Sequence, residues 1–139
     1  MPDMNDWNRQ TIEAFRANGG KVGGMWEGRP LLLLTTTGTK SGQRHTNPVM
    51  YMHDGDRLLV FASKGGAPTN PDWYHNLLAH PEVTVEVGDE TNDAIATPLT
   101  GEERDQLYAR WAELYPQFGE YQKKTTRKIP VVALERRKG

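Results

Sequence analysis

Between residues 31 and 134 the chain is written as short apolar or β-branched runs closed by glycine, proline or Asp-Gly, and this punctuation constrains its fold more than anything else. Leu31 to Thr37 ends at Gly38, Thr46 to His53 and Arg57 to Ala62 flank Asp54-Gly55-Asp56, and Val83, Val85 and Val87 alternate with polar residues before Gly88-Asp89. Thr91 to Pro98 and Ile129 to Leu134 complete the set. Runs of this length, with β-branched residues at period two, read as strands, and Asp-Gly between two of them is a hairpin signal. About six antiparallel strands follow. Because most of them fall in hairpins, with two or three helices outside, the expected fold class is mainly β with flanking helices, a small antiparallel barrel whose closure removes exposed edges and not a parallel doubly wound sheet.

Three stretches carry the helical period instead. Trp7, Ile12, Ala14 and Phe15 give one stripe over 5–18, stopped by Gly19-Gly20, and Asn70-Pro71 opens a short helix over 73–79, with Asn70 as its cap. Thr100 and Glu103 have capping-box spacing ahead of Leu107, Trp111 and Leu114. The charges from Glu102 to Arg110 read as a solvated face. The glycine-rich stretch 21–30 reads as a flexible connection in which Met25 and Trp26 staple the first helix or cap a pocket. With 139 residues the expectation is a single domain, 1–139, divided into an N-terminal helix and connection (1–30) and a barrel with helices (31–135), the charged tail Glu135 to Gly139 fraying.

Charge and composition exclude several functions. Seventeen Lys and Arg against 18 Asp and Glu leave a net charge of −1, so no global field draws nucleic acid or anionic lipid, and any cationic site is local. The absence of cysteine removes thiolate metal sites and cysteine nucleophiles. The longest apolar run, Leu31 to Leu34, is too short to span a membrane, and a polar, acidic start fits no targeting signal, so a cytoplasmic location is expected. Histidines 45, 53, 75 and 80 have no metal-ligand spacing, and no nucleophile elbow suggests hydrolysis.

Chemistry concentrates in two loops. Residues 35–45, Thr-Thr-Thr-Gly-Thr-Lys-Ser-Gly-Gln-Arg-His, gather hydroxyls, glycines and cations where a strand ends. Glycines admit backbone N–H groups close to an anion, and Lys40 and Arg44 add charge. The spacing is not that of a nucleotide-binding P-loop. Ala62-Ser63-Lys64-Gly65-Gly66 repeats the combination, and Trp73, Tyr74 and Asn76 follow with groups that suit a flat heteroaromatic ligand or a helix core equally well.

These segments, collinear with Asn47-Pro48, Asn70-Pro71-x-Trp73-Tyr74, Tyr115-Pro116 and Arg127-x-Ile129-Pro130, resemble the deazaflavin-dependent nitroreductase family. The resemblance implies a split β-barrel of the FMN-binding type, with coenzyme F-420 as cofactor and flavin mononucleotide as the alternative. It also implies hydride transfer to a quinone, nitroaromatic or activated enone, the rival reading being a ligand carrier without turnover. Partners would be the cofactor and an organic acceptor, with peripheral access to membrane quinones and no nucleic acid. Lys40, Ser41 and Gly42 would meet the cofactor's phosphate and acidic tail, with Lys64, Gly65 and Gly66 holding it from the second loop. Asn47, Pro48, Met50, Ala62 and Ser63 would line the ring, and Trp73 and Asn76 would complete the tail site. The family often has a basic residue at Thr39 and arginine at His45; here Arg44 stands one position earlier, facing the other way in a strand. Tyr115, Phe118 and Tyr121 would cover the acceptor. Phe118 occupies the place of a tyrosine proposed as proton donor, which leaves Tyr115, Tyr121, Ser63 or water for that role.

Overall fold

A computed structural model describes residues 4–20 and 30–136. The order is α1 (Met4–Ala17), β1 (Leu31–Thr37), β2 (Arg44–Asp54), β3 (Arg57–Phe61), α2 (Asp72–Ala79), β4 (Glu82–Val87), β5 (Glu90–Leu99), α3 (Gly101–Leu114), α4 (Gln117–Lys124) and β6 (Val131–Arg136). The strands close into an antiparallel barrel in the order β1-β2-β3-β6-β5-β4, mainly β with flanking helices as the punctuation requires. Met25 and Trp26 lie outside the described residues.

Both two-residue hairpin loops are Gly-Asp. Asp54 pairs with Arg57 across Gly55-Asp56, and Val87 with Glu90 across Gly88-Asp89. In each, the first central residue takes the positive φ that a twist-compatible turn demands, +62° at Gly55 and +58° at Gly88, which only glycine adopts without strain.

Alternation sorts the strand residues. Leu32, Leu34, Val60, Val83, Val85, Ala94, Ala96, Val132 and Leu134 fill the bore, which Trp73 and Leu77 of α2 join. Leu31 and Leu33 face outward under Phe15 of α1, so β1 is buried on both faces and its leucines need no polar alternation. Leu59, Phe61, Val131 and Ala133 face outward under Leu107, Tyr108 and Trp111 of α3 and Phe118 of α4.

Four local expectations are corrected. Pro71, not Asn70, is the cap of α2, and the Asn70 side chain accepts a bond from Arg127 instead. Thr100 caps α3 but without a side-chain bond, and the Glu103 carboxylate accepts from Arg57 at 2.8 Å instead of reaching back to the cap. The charged face of α3 is not wholly solvated, since Arg104 is buried and donates twice to the Ile129 carbonyl. The tail also holds through Arg136, which closes β6 and pairs with Glu90 at 2.8 Å.

Candidate functional site

The two glycine loops leave the same end of the barrel but not the same level. β3 pairs with β2 only over Tyr51–Asp54, while β1 pairs as far as Arg44. Residues 44–50 therefore run past the β2–β3 ladder as a one-sided strand. Between Arg44, opposite Thr37, and Tyr51, opposite Val60, the strand advances roughly 20 Å at its ordinary rise. The first loop sits at one end of this open stretch, and the second leaves β3 near the other.

The first loop, 38–43, is closed by bonds from Gly38 N–H to the Gln43 carbonyl (2.8 Å) and from Gly42 N–H to the Gly38 carbonyl (3.1 Å). Ser41 Oγ accepts the Gln43 N–H at 3.1 Å and lies 3.5 Å from His45 Nε2. Asn76, 8% exposed on α2, anchors the loop from behind: its Oδ1 accepts the Thr39 N–H and its Nδ2 donates to Thr36 Oγ1. Arg44 lies on the outer face, where it donates to Thr37 Oγ1 (2.9 Å) and Thr84 Oγ1 (2.7 Å). His45, one residue on, faces the other way as strand geometry requires, so Arg44 does not take its place.

A cleft of about 870 Å³ opens beside this loop. It gathers Thr39, Lys40, Ser41, Arg44, His45, Asn47 and Asn76 of the sequence-selected residues, and adds Arg9 and Arg16 of α1 with Asp72 and His75 of α2. The two helix arginines escaped the sequence reading; their signal was the seven-residue spacing that puts both on the face of Ile12. Four basic side chains against one acidic make the cleft a cationic site on a chain of net charge −1. Arg16 is in part neutralised by a two-pronged pair with Glu86 at 3.0 and 2.8 Å. A second hollow, about 800 Å³ at the opposite end of the barrel, includes none of the selected residues.

The second loop is not part of that cleft. Lys64–Gly66 form a 3-10 turn with Lys64 in the left-handed region at φ 47°. Gly66 packs so closely on α4 that a Cβ would stand 2.9 Å from the Tyr121 carbonyl oxygen. Lys64 is exposed, its Nζ 3.3 Å from Thr69 Oγ1. Arg127 reaches in from the segment before β6 and bonds the Ala62, Ser63 and Ala67 carbonyls.

The residues expected to line a ring divide. Asn47 shares the inward face of β2, while Pro48 and Met50 point outward, Met50 touching both the α1-covered and the α3–α4-covered clusters. Ala62 belongs to the bore, Ser63 is buried, and Trp73 is a core residue. On α4 Phe118 is 7% exposed, packed against Trp111 (5.1 Å) and Tyr121 (5.2 Å), with Tyr115 at 4.6 Å from Trp111. Tyr115 and Tyr121 are half-buried at the edge of this cluster.

A ligand touching both loops must be elongated and anionic at the first-loop end. The model of the F420H(2)-dependent quinone reductase family matches residues 7–136. The chain belongs to that family. Membership makes it a reductase that depends on coenzyme F-420, and a cationic cleft at one end of an open strand fits a long cofactor with a phosphate and an acidic tail. An F420H(2)-dependent quinone reductase of Mycobacterium tuberculosis is 41% identical over 129 residues, 88% of this chain and 85% of that protein. Among solved structures, an F420-H2 dependent reductase is 44% identical with TM-score 0.70, covering 77% of this chain and 95% of its own. A domain-swapped dimer is 40% identical with TM-score 0.72, covering 96% of this chain and all of its own. Among the described residues no helix is long and apolar enough to cross a membrane.

Proposed function

We propose that this family member passes hydride from reduced coenzyme F-420 to an electron-poor acceptor, a quinone, nitroaromatic or activated enone. The observation that carries the reading is the one-sided stretch of β2, with a cationic cleft at one end and the Lys64 loop and aromatic edge of α4 toward the other. When bound, the deazaflavin supplies two-electron chemistry, so the protein needs no nucleophile or metal of its own.

The chain's residues do the rest. Lys40 and Ser41 hold phosphate and tail oxygens by charge-assisted bonds, and Arg44, kept in place by two threonine hydroxyls, adds field without having to reorganise. Lys64, with the N–H group of Gly65, grips the cofactor at the second loop, whose turn the Gly66 N–H closes on the Ser63 carbonyl at 2.9 Å. Met50 and Pro48 give the outward face of β2 an apolar floor for the ring, and Tyr115 and Tyr121 bound the space where an acceptor stacks. Phe118 donates no proton and stiffens this wall from within. Proton delivery to the reduced acceptor falls to Tyr115, Tyr121, Ser63 or water.

The test is a parallel titration with coenzyme F-420, flavin mononucleotide and NADPH, followed by oxidation of the reduced deazaflavin in a panel of quinones, nitro compounds and enones. Tight deazaflavin binding with turnover of at least one acceptor is expected. Binding without turnover of any acceptor would overturn the proposal.

A further inference from the structure

We propose that Arg127 is a positioning residue that holds the second loop in its cofactor-gripping shape, acting through the loop backbone without touching the cofactor. The inference rests on the reading above that the Lys64 loop contacts coenzyme F-420. Nε donates to the Ala67 carbonyl (2.9 Å), Nη1 to the Ala62 carbonyl (3.1 Å) and Asn70 Oδ1 (2.8 Å), and Nη2 to the Ser63 carbonyl (2.7 Å). These acceptors bracket the loop: 62 and 63 on its entry, 67 and 70 on its exit. Between them stands Lys64 at φ 47°, a conformation a lysine keeps only where its surroundings enforce it.

The clamp is itself held. Gln122 Nε2 donates to the Arg127 carbonyl at 2.7 Å, while Gln122 Oε1 accepts from Ile129 N–H (2.9 Å) and Arg104 Nη2 (2.8 Å). Arg104 in turn fixes the Ile129 carbonyl. The helix that carries Tyr121 and the loop that carries Lys64 are thereby tied to one frame, which Gly66 completes by direct contact with α4. A planar fork with five donors meets four acceptors in different directions; a lysine ammonium offers three donors from one point and cannot span them.

The test compares Arg127→Lys, Asn70→Ala, Asn70→Asp and Lys64→Ala with wild type. Readouts are thermal unfolding, Kd for coenzyme F-420, KM for the reduced cofactor against kcat, and backbone hydrogen exchange. Arg127→Lys is expected to fold, to raise cofactor Kd and KM about tenfold with kcat at saturation within about twofold, and to lose exchange protection at 63–67 but not in the first loop. Asn70→Ala should raise KM by less, and Asn70→Asp, which keeps an acceptor for the guanidinium, should restore it. Should Arg127→Lys fail to fold, the Asn70 pair decides: unchanged KM in Asn70→Ala overturns the proposal. If Lys64→Ala weakens binding while folded Arg127→Lys does not, the positioning role is wrong and the loop assignment stands. Wild-type Kd in Lys64→Ala removes the loop assignment and this inference with it.

Discussion

Asn76 Nδ2 on α2 donates to Thr36 Oγ1 on β1 at 3.1 Å, joining two polar groups that are both buried. The same amide accepts the Thr39 N–H, so one side chain ties the bore-plugging helix to the strand end and to the loop that opens the cationic cleft. A residue expected at the tail site is in this structure an anchor for the first loop.

Removing one partner strands the other. Asn76→Ala leaves the Thr36 hydroxyl and Thr39 N–H without their bonds, and Thr36→Val leaves the amide short of one, each costing about 1–3 kcal/mol in urea unfolding. The double variant should cost less than the sum, because contacting residues couple by roughly 0.5–3 kcal/mol. Strict additivity would show that the bond contributes nothing.

Tyr108 gives the alkaline limit. Burial pushes its phenol up to about 12, against the opposing fields of Arg104 and Arg127, and its hydroxyl donates to the Phe118 carbonyl at 2.6 Å. A raised acid favours the folded state while protonated, so this stability is whole below the unfolded value near 10 and is lost as pH climbs toward about 12. The loss is on the order of 2 kcal/mol. Unfolding followed from pH 8 upward should show Tyr108→Phe less stable than wild type near neutrality but flatter through the alkaline range. Parallel curves would assign the decline to other groups.

Phe118 belongs to the wall, not to the proton path. Phe118→Ala opens a cavity among Phe61, Trp111 and Tyr121 and should cost about 3–5 kcal/mol in unfolding, whereas Phe118→Leu, which conserves more volume, should cost less. The pH dependence of kcat should be the same in wild type and Phe118→Leu. A lost titration in the variant would contradict a purely packing role.

The legibility of the chain follows from the range over which each signal acts. Hairpins at Gly55 and Gly88, the leucines of β1 and the glycine stop of α1 depend on neighbours in sequence, and could be read there. α4 is not among the helices read from the sequence, because a helix of eight residues after Pro116 has too few turns to declare itself. Thr100 is the cap of α3 as the sequence suggests, but two side chains expected to serve the caps are held by distant cations: Arg127 holds Asn70 from 57 residues away, and Arg57 holds Glu103 from 46. The stagger of β2 that separates the two loops is a matter of register, which no single segment encodes. Lys40 and Lys64 could therefore be named from sequence but not placed.

That separation makes a quantitative prediction. Lys40 and Lys64 are both exposed, and the loops carrying them flank roughly 20 Å of strand, well beyond the distance at which substitutions interfere. Lys40→Ala and Lys64→Ala should each weaken coenzyme F-420 binding by about 1–3 kcal/mol, as expected for charge-assisted bonds. Their double variant should lose the sum within about 0.5 kcal/mol. Added salt should weaken wild type more than either single variant, and the double least, because screening acts on contacts still present. Titrations of all four proteins at low and high ionic strength measure both effects. A double variant no weaker than one single would mean that the two lysines do not hold opposite ends of one extended ligand.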